Sequence, residues 1–257
     1  ITANTGTLTL SGQTGSVVDW EFSTDNGVTW FTISNTSTSQ SFTNIIDTTL
    51  YRVKVQNASC TAAFSNTVTI TPDKATVGGT VNSNASVCIS GNSGTLNLTG
   101  KTGSVVQWES STNNFATSTV IANTTTSQSY LNLAATTKYR ALVQSGVCSS
   151  VYSSTVTITV SPLSVGGTIT PDTSYGCQGA NSGTLTLSGQ VGTNQGWQIS
   201  SNGVTFSNVS PANTTSTLNY NNLAGTRWYR VNIKSGGCAA KISDTAVVII
   251  TSATVPG

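Results

Sequence analysis

The chain has 257 residues, of which 7% are charged, and its formal net charge is +2. Proteins that bind nucleic acid or an anionic membrane surface hold the phosphates with a strongly basic face, so this composition argues against both kinds of partner. Histidine is missing from the sequence, which removes the commonest general base of enzymes. The chain also lacks an apolar run of about 18 residues that would insert into a membrane.

The sequence repeats one unit three times. Gly6–Leu10 returns as Gly94–Leu98 and again as Gly183–Leu187, and further landmarks recur at the same period. Repetition at a fixed period predicts a tandem array of similar domains. The predicted units are 1–74, 75–163 and 164–251, and we expect 252–257 to begin a further repeat or linker. We expect the first unit to be N-terminally truncated, because it lacks the opening segment of the other two.

Each unit has the composition and the alternating pattern that are typical of β-strands and turns. Short alternating runs rich in Val, Thr, Ile and aromatic residues are bounded by Gly, Asn and Ser, and no helical periodicity is present. The fold class is therefore all-β, and about seven short strands per unit predict an immunoglobulin-like β-sandwich. In the first unit we expect strands at 6–11, 16–23, 28–33, 40–45, 50–56 and 66–71, preceded by one upstream. Alternation places Val18 and Trp20, and likewise Val106 and Trp108, in the core.

The cysteines recur at one spacing. Cys88 precedes Cys148 by 60 residues and Cys177 precedes Cys238 by 61, which predicts one disulfide within each complete unit. Cys60 is then a half-cystine whose partner lies upstream of the chain. Regularly spaced cystines indicate an oxidising compartment, so we expect an extracellular protein.

One stretch resembles the Asp-box of sialidase propellers. Ser23–Trp30 matches the pattern S-x-D-x-G-x-x-W, but the other two units do not keep it whole. Asn26-Gly27 between two alternating runs already explains the stretch as a hairpin turn. We therefore predict a turn here and no propeller.

Candidate binding and catalytic residues are few. Trp30 and Trp228 have no tryptophan counterparts in the other units and are the candidate ligand-binding residues, as platforms for sugar rings. Glu21 and Glu109 are expected to pair across strands with Arg52 and Arg140 rather than to act as catalytic acids. We predict no catalytic residue, no metal site and no cofactor, so the chain is not expected to be an enzyme.

Several landmarks together resemble a known family. Cys88, Gly94–Leu98, Gly103–Glu109, Thr136–Arg140 and Cys148 are similar to the immunoglobulin-like repeats of very large Bacteroidota surface proteins, in particular the SprB-type gliding-motility adhesins. The resemblance covers all three units. It implies secretion by the type IX system, attachment at the outer membrane, and a cell-surface filament that the gliding machinery moves while it grips the substratum.

The predicted function is that of a stalk or spacer in a long extracellular adhesin. The connectors Pro72–Ala75 and Pro162–Val165 are short and contain proline, which predicts a semi-rigid rod of tandem sandwiches. The expected partners are neighbouring repeats of the same chain, the gliding and secretion machinery implied by the resemblance, and a surface polysaccharide or other substratum. Two alternatives remain open: a glycan-binding immunoglobulin-like module, and accessory repeats of a secreted enzyme.

Overall fold

A computed structural model describes residues 4–82 and 84–252. Every regular element in these two stretches is a β-strand. The start of the first predicted unit and the predicted segment beyond residue 252 lie outside the described residues. The chain forms tandem immunoglobulin-like domains, one for each repeat, and we call these the first, second and third repeats.

The first repeat consists of a two-stranded sheet that faces a five-stranded sheet. Its strands are β1 (Thr5–Thr9), β2 (Ser16–Ser23), β3 (Phe31–Ile33), β4 (Ser39–Thr43), β5 (Thr49–Gln56), β6 (Ala63–Phe64) and β7 (Val68–Ile70). β1 pairs with β4, while β3, β2, β5 and β6 follow in order and β7 also pairs with β5. The predicted strand at 28–33 is shorter than expected because the residues before Phe31 form the turn that follows β2.

The second repeat has two additional strands before the Leu-x-Leu strand. Its strands are β8 (Thr80–Val81), β9 (Ala85–Cys88), β10 (Ser93–Thr99), β11 (Ser104–Ser111), β12 (Thr119–Ile121), β13 (Ser127–Leu131), β14 (Thr137–Gln144), β15 (Val151–Tyr152) and β16 (Val156–Ser161). One sheet has the order β13-β10-β8, and the other has the order β12-β11-β14-β16-β9, with β15 beside β14. β9 lies parallel to β16, whereas the other pairs are antiparallel.

The third repeat has the same topology as the second. Its strands are β17 (Thr168–Thr170), β18 (Thr173–Cys177), β19 (Ser182–Ser188), β20 (Thr193–Ser200), β21 (Ser207–Asn208), β22 (Thr217–Asn221), β23 (Arg227–Lys234), β24 (Lys241–Ile242) and β25 (Ala246–Thr251). One sheet has the order β17-β19-β22 and the other β18-β25-β23-β20-β21, with β24 beside β23. Again the strand that ends in a cysteine, β18, runs parallel to the last strand, β25.

Each repeat packs its two sheets around one tryptophan. Trp108 and Trp197 are completely buried, and Trp20 is nearly so. A buried indole N–H needs an acceptor, and each of these donates to a backbone carbonyl oxygen at 2.9 Å, which for Trp108 belongs to Thr125. This bond fixes the ring between the sheets and ties the loop before β13 to the core.

A β-bulge reverses one part of the predicted core. The register of β2 against β5 shifts between Val17 and Asp19, and β11 has the same shift against β14. The extra residue changes which side chains face inward. Val17 and Val105 are buried, while Val18 and Val106, which strict alternation assigned to the core, are exposed. The predicted inward orientation of Val18 and Val106 is therefore wrong.

Candidate functional site at the junction of the second and third repeats

The five cysteines occupy two places in the fold. Cys88 and Cys177 end β9 and β18, and we call them strand cysteines. Cys60, Cys148 and Cys238 lie in the loop that follows β5, β14 and β23, and we call them loop cysteines. Each repeat thus carries a loop cysteine, and the second and third repeats also carry a strand cysteine.

A disulfide joins two different repeats. Cys88, the strand cysteine of the second repeat, is bonded to Cys238, the loop cysteine of the third, with 4.5 Å between their Cα atoms and 150 residues between them in sequence. The prediction that Cys88 pairs with Cys148, and Cys177 with Cys238, within single repeats is therefore wrong.

The direction of the strands explains the correction. Cys88 lies beside Ser161 at the end of β16, and β14 is antiparallel to β16. Cys88 is therefore level with the start of β14, whereas Cys148 follows its end. A strand of this length spans about 26 Å, but the Cα atoms of a disulfide lie within about 7 Å of each other. The two cysteines of one repeat therefore lie at opposite poles and are too far apart to bond to each other. Each can form a disulfide only with a cysteine of a neighbouring repeat.

Glycines let the Cys238 loop sit directly on β9. A Cβ atom on Gly237 would overlap the backbone of Ser86 and Val87, and one on Gly236 would overlap the Ser161 side chain. The loop is fixed further because the Ser235 N–H donates to the hydroxyl oxygen of Ser164 in the connector, at 2.9 Å. At this junction the loop therefore lies against β9 with no room for a side chain at either position.

The junction between the first and second repeats has the same plan. Cys148 is buried, and its sulfur lies 3.5 Å from the Lys74 carbonyl oxygen in the connector. The Val147 N–H donates to the Asp73 carboxylate at 3.0 Å, and the Ser145 N–H donates to Thr76 Oγ1 at 3.1 Å. A loop cysteine is thus placed against the preceding connector at both junctions.

The two remaining cysteines lie at the surface. Cys60 and Cys177 are exposed, and neither forms a disulfide within residues 4–82 and 84–252. The upstream partner predicted for Cys60 lies outside the described residues. For Cys177, the predicted partner Cys238 is already bonded to Cys88.

A second polar cluster surrounds Glu109 on the outer face of the second repeat. Arg140 donates to Glu109 Oε2 through Nε at 3.0 Å and through a terminal nitrogen at 2.8 Å. Gln107 and the Tyr152 hydroxyl donate to Glu109 Oε1 at 3.0 and 2.8 Å. Burial opposes ionisation of Glu109, but these hydrogen bonds outweigh it and hold the pKa of the carboxyl below its usual range. The guanidinium of Arg140 also lies between the rings of Phe115 and Tyr152.

The first and third repeats carry variants of this cluster. Arg52 donates to Glu21 at 2.7 Å, so the predicted pairing of both glutamates with both arginines is confirmed. In the third repeat Gln198 replaces the glutamate and accepts from Arg230 at 2.8 Å. In all three repeats these hydrogen bonds join side chains of neighbouring β-strands.

Trp30 and Trp228 pack within their own repeats. The Trp30 ring stacks on the Arg52 guanidinium at 3.9 Å and its N–H donates to the Gly27 carbonyl oxygen at 3.0 Å. Trp228 lies against Gly203 in the connection between β20 and β21. Both side chains are half-buried. The contacts account for both residues as packing groups, and their binding of a sugar ring stays a prediction.

The Asp-box stretch forms the turn between β2 and β3. Asp25 accepts from the Thr29 N–H and from the Ser23 hydroxyl, each at 2.8 Å. The hydrogen bond from the Thr29 backbone, followed by that from Ser23, lowers the pKa of Asp25 to about 2. The predicted hairpin turn is confirmed, since β2 and β3 are antiparallel partners.

Within 4–82 and 84–252, no group of three or more His, Cys, Asp or Glu side chains is placed to hold a metal ion. The part of the chain that the structure covers also has no helix long and apolar enough to cross a membrane.

Several solved structures resemble the chain over nearly its full length. A three-domain I-band fragment of titin is 11% identical, with 98% of this chain and 93% of that chain covered and a TM-score of 0.48. A second three-domain titin fragment is 14% identical, with 98% and 94% covered and a TM-score of 0.47. Extracellular domains 3–5 of Drosophila OTK are 13% identical, with 98% and 92% covered and a TM-score of 0.36.

No curated protein matches the chain. One family model matches it three times, at residues 1–74, 77–162 and 165–252. The matched segments follow the three repeats and cover most of the sequence. The chain therefore belongs to the family described as a domain of unknown function, DUF8696.

Proposed function

We propose that the chain is a stalk segment of a long, repetitive extracellular adhesin. The observation that carries the proposal is the disulfide between Cys88 and Cys238, because it fastens one repeat to the next rather than stapling a single domain. A bond of this kind contributes little to recognition. It serves a molecule that must keep its repeats in line while it is pulled.

The junctions support a mechanical role in two further ways. Val77, two residues after the first connector, pairs with Thr102, and Val165, the last residue of the second connector, pairs with Val191, so the end of each connection is hydrogen-bonded to the repeat that follows it. Gly78 and Gly166 lie so close to the following repeat that a Cβ atom would overlap its backbone. Connectors that are held in this way make a semi-rigid rod, whereas free linkers would give loosely tethered domains.

The disulfide also supports an extracellular location, since such bonds persist in oxidising compartments. Only 7% of the residues are charged, and the surface is rich in Thr, Ser and Asn. Such a surface suits a stalk that must not adhere along its whole length. The sequence resemblance extends the proposal to surface attachment and gliding motility in Bacteroidota, with export by the type IX system, attachment at the outer membrane, and a surface polysaccharide or other substratum as the partner.

Stretching single molecules tests the mechanical role. The chain is held at its two ends and unfolded in oxidising and then in reducing buffer. With the disulfide intact, the 150 residues between Cys88 and Cys238 cannot extend. At about 3.4 Å per residue, we expect the total released length to be about 500 Å shorter than in the reduced chain.

Two variants make the stretching result specific. Cys88→Ser should give the longer release in both buffers, because it removes the inter-repeat bond. Cys60→Ser, which removes an exposed cysteine outside this junction, should behave as the unchanged chain does. Equal release lengths in the two buffers for the unchanged chain would contradict the proposal.

A further inference from the structure

The strand cysteine of the third repeat is held in the same way as the bonded one. The Asn92 side-chain amide donates to the Cys88 carbonyl oxygen at 2.8 Å, and the Asn181 amide donates to that of Cys177 at 3.0 Å. Each asparagine also donates to a second carbonyl oxygen, that of Leu133 or Leu223, and so ties the cysteine to the connection before β14 or β23. The backbone that presents the sulfur is therefore the same in both repeats.

Hydrogen bonds to the last strand match as well. Cys88 lies opposite Ser161 on β16 and Cys177 lies opposite Thr251 on β25, in parallel pairs. The N–H of Ile89, which follows Cys88, donates to the Ser161 carbonyl oxygen at 2.9 Å. The N–H of Gln178, which follows Cys177, donates to the Thr251 carbonyl oxygen at 3.0 Å. Cys177 thus stands at the same pole of its repeat as Cys88.

The surroundings of Cys177 differ because nothing in the described chain covers them. In the second repeat, Gly236 and Gly237 sit on Ser86, two residues before Cys88. The residue two before Cys177 is Tyr175, whose side chain is 76% exposed. Tyr175 and Cys177 are two residues apart on β18, so their side chains lie on the same exposed face.

The complementary half is present at the other end of the chain. Cys60 is an exposed loop cysteine, and its N–H donates to the Asn57 carbonyl oxygen at 2.9 Å. The same turn forms around Cys238, whose N–H donates to Ser235 at 2.8 Å. Ala58, at the position of Gly236, has a φ of 46°, close to the 44° of that glycine. The Cys60 loop therefore has the same backbone turn as the Cys238 loop, but it carries Ala58 and Ser59 where that loop has Gly236 and Gly237, so it fits a strand cysteine less closely than the Cys238 loop does.

We propose that Cys177 is an assembly site, which takes the loop cysteine of another repeat of this family and forms the strand-to-loop disulfide seen between Cys88 and Cys238. The loop can come from a further repeat in the same polypeptide or from a second copy of this chain through Cys60. The proposal concerns assembly and stands whether or not the array serves adhesion.

The bond forms by thiol–disulfide exchange with a disulfide oxidant such as glutathione disulfide. The Cys177 thiolate attacks the oxidant, which forms a mixed disulfide and releases one glutathione thiolate. The loop cysteine thiolate then attacks the Cys177 sulfur, and the second glutathione leaves. The two protein thiols lose two electrons and two protons, and the oxidant becomes two molecules of glutathione.

Such a bond would overlap the existing one. Cys177 lies between Cys88 and Cys238 in sequence, inside the loop that their disulfide closes. A second disulfide, from Cys177 to a following repeat, would begin before the first one ends. Between the two bonds, no part of the peptide would then carry tension without a disulfide-linked path beside it. The array would then be a continuous covalent ladder.

The test mixes two complementary variants of the whole chain. Cys60→Ser retains the strand cysteine and Cys177→Ser retains the loop cysteine, and neither change touches the Cys88–Cys238 bond. In glutathione redox buffer, we expect the mixture to form a covalent dimer in several-fold higher yield than either variant alone. Mass spectrometry of the non-reduced digest should show Cys60 linked to Cys177. Tyr175→Ser, which restores the residue found at Ser86, should still form this link.

A second preparation separates the two sources of the loop. Here the chain is lengthened at its C-terminus by another copy of 164–252, so that a loop cysteine is available within the same polypeptide. Bonding of Cys177 to the added loop in a monomer supports the proposal with a neighbouring repeat as partner, even if the mixed variants form no dimer. If Cys177 acquires only glutathione, or bonds only to Cys177 of another copy, in both preparations, the proposal is wrong.

Discussion

At the scale of single residues, the contacts of Glu109 allow a direct prediction about the stability of the second repeat. It is 4% exposed and accepts hydrogen bonds from three side chains, and the guanidinium of Arg140 depends on it for charge balance. Glu109→Leu would leave Arg140 half-buried without its counter-charge. We expect a loss of about 3 kcal/mol in the free energy of unfolding of the second repeat.

A natural variant of this cluster supplies the control. The third repeat has Gln198 at the equivalent position, and its side-chain oxygen accepts from Arg230. We therefore expect Glu109→Gln to cost only about 1 kcal/mol, because one hydrogen bond survives. Chemical denaturation followed by tryptophan fluorescence measures both. Both variants remove the charge of Glu109, so equal losses would contradict the expectation that the retained hydrogen bond stabilises the repeat.

The Glu109 cluster also predicts a pH dependence. The pKa of Glu109 is lowered from its ordinary 4.5 in the folded state, so its contribution to stability is complete above pH 4.5 and is lost as the pH falls through the lowered value. The stability difference between the unchanged chain and Glu109→Gln should therefore shrink on acidification. Thermal unfolding of both proteins across this pH range checks the expectation, and a constant difference would contradict it.

Trp30 gives a prediction that separates packing from sugar binding. Its ring stacks on Arg52, as the Phe206 ring stacks on Arg230 in the third repeat. We expect Trp30→Phe to keep the stability of the first repeat and Trp30→Ala to lower it by about 1–2 kcal/mol, through lost burial and the lost cation–π contact. Denaturation curves measure the two variants. Loss of glycan binding in Trp30→Phe with unchanged stability would instead show that the ring is a ligand platform.

At the scale of elements, the sequence predicted most of the strands but neither the bulge in β2 nor the short parallel strand β9. Alternation and turn residues located β2, β4 and β5 to within a residue or two. The bulge after Val17 was missed, because an inserted residue changes no composition and only shifts the pairing. β9 is four residues long and runs parallel to β16, and neither property leaves a periodic signal.

That missed strand direction is the reason for the wrong disulfide prediction. The spacing of Cys88 and Cys148 indicates which residues belong to one repeat, but it does not show at which pole each sulfur lies. Disulfide connectivity follows from the direction of β9 and β14, which needs the topology of the sheet. The site could be predicted only as a set of cysteines, whereas the ion pairs of Glu21 and Glu109 followed directly from outward positions on neighbouring strands.

The loop that carries Cys238 gives a prediction at this scale. A side chain on Gly237 would overlap the backbone of β9, so we expect Gly237→Val to keep the loop from reaching Cys88. Both thiols should then react with an alkylating reagent under conditions in which the unchanged chain is protected. The matched control is Val147→Ala. Val147 occupies the equivalent place at the first junction, where it is 93% exposed, and its change should alter nothing. Full disulfide formation in Gly237→Val would contradict the close contact.

At the scale of the whole molecule, the inter-repeat disulfide couples two domains that have separate cores. The buried clusters around Trp108 and Trp197 share no residue. Closing a loop of 150 residues removes unfolded-state entropy equivalent to about 5 kcal/mol on the chain-entropy model, which is comparable to the stability of a whole small domain. The bond therefore stabilises the second and third repeats jointly.

Peptide mapping determines directly how the cysteines are paired. The chain is digested without reduction, its thiols are blocked beforehand, and the linked peptides are identified by mass spectrometry. The structure predicts a peptide pair that contains Cys88 and Cys238. Peptides that link Cys88 to Cys148 and Cys177 to Cys238 would contradict it, because each bond would then lie within one repeat and no disulfide would join the second repeat to the third.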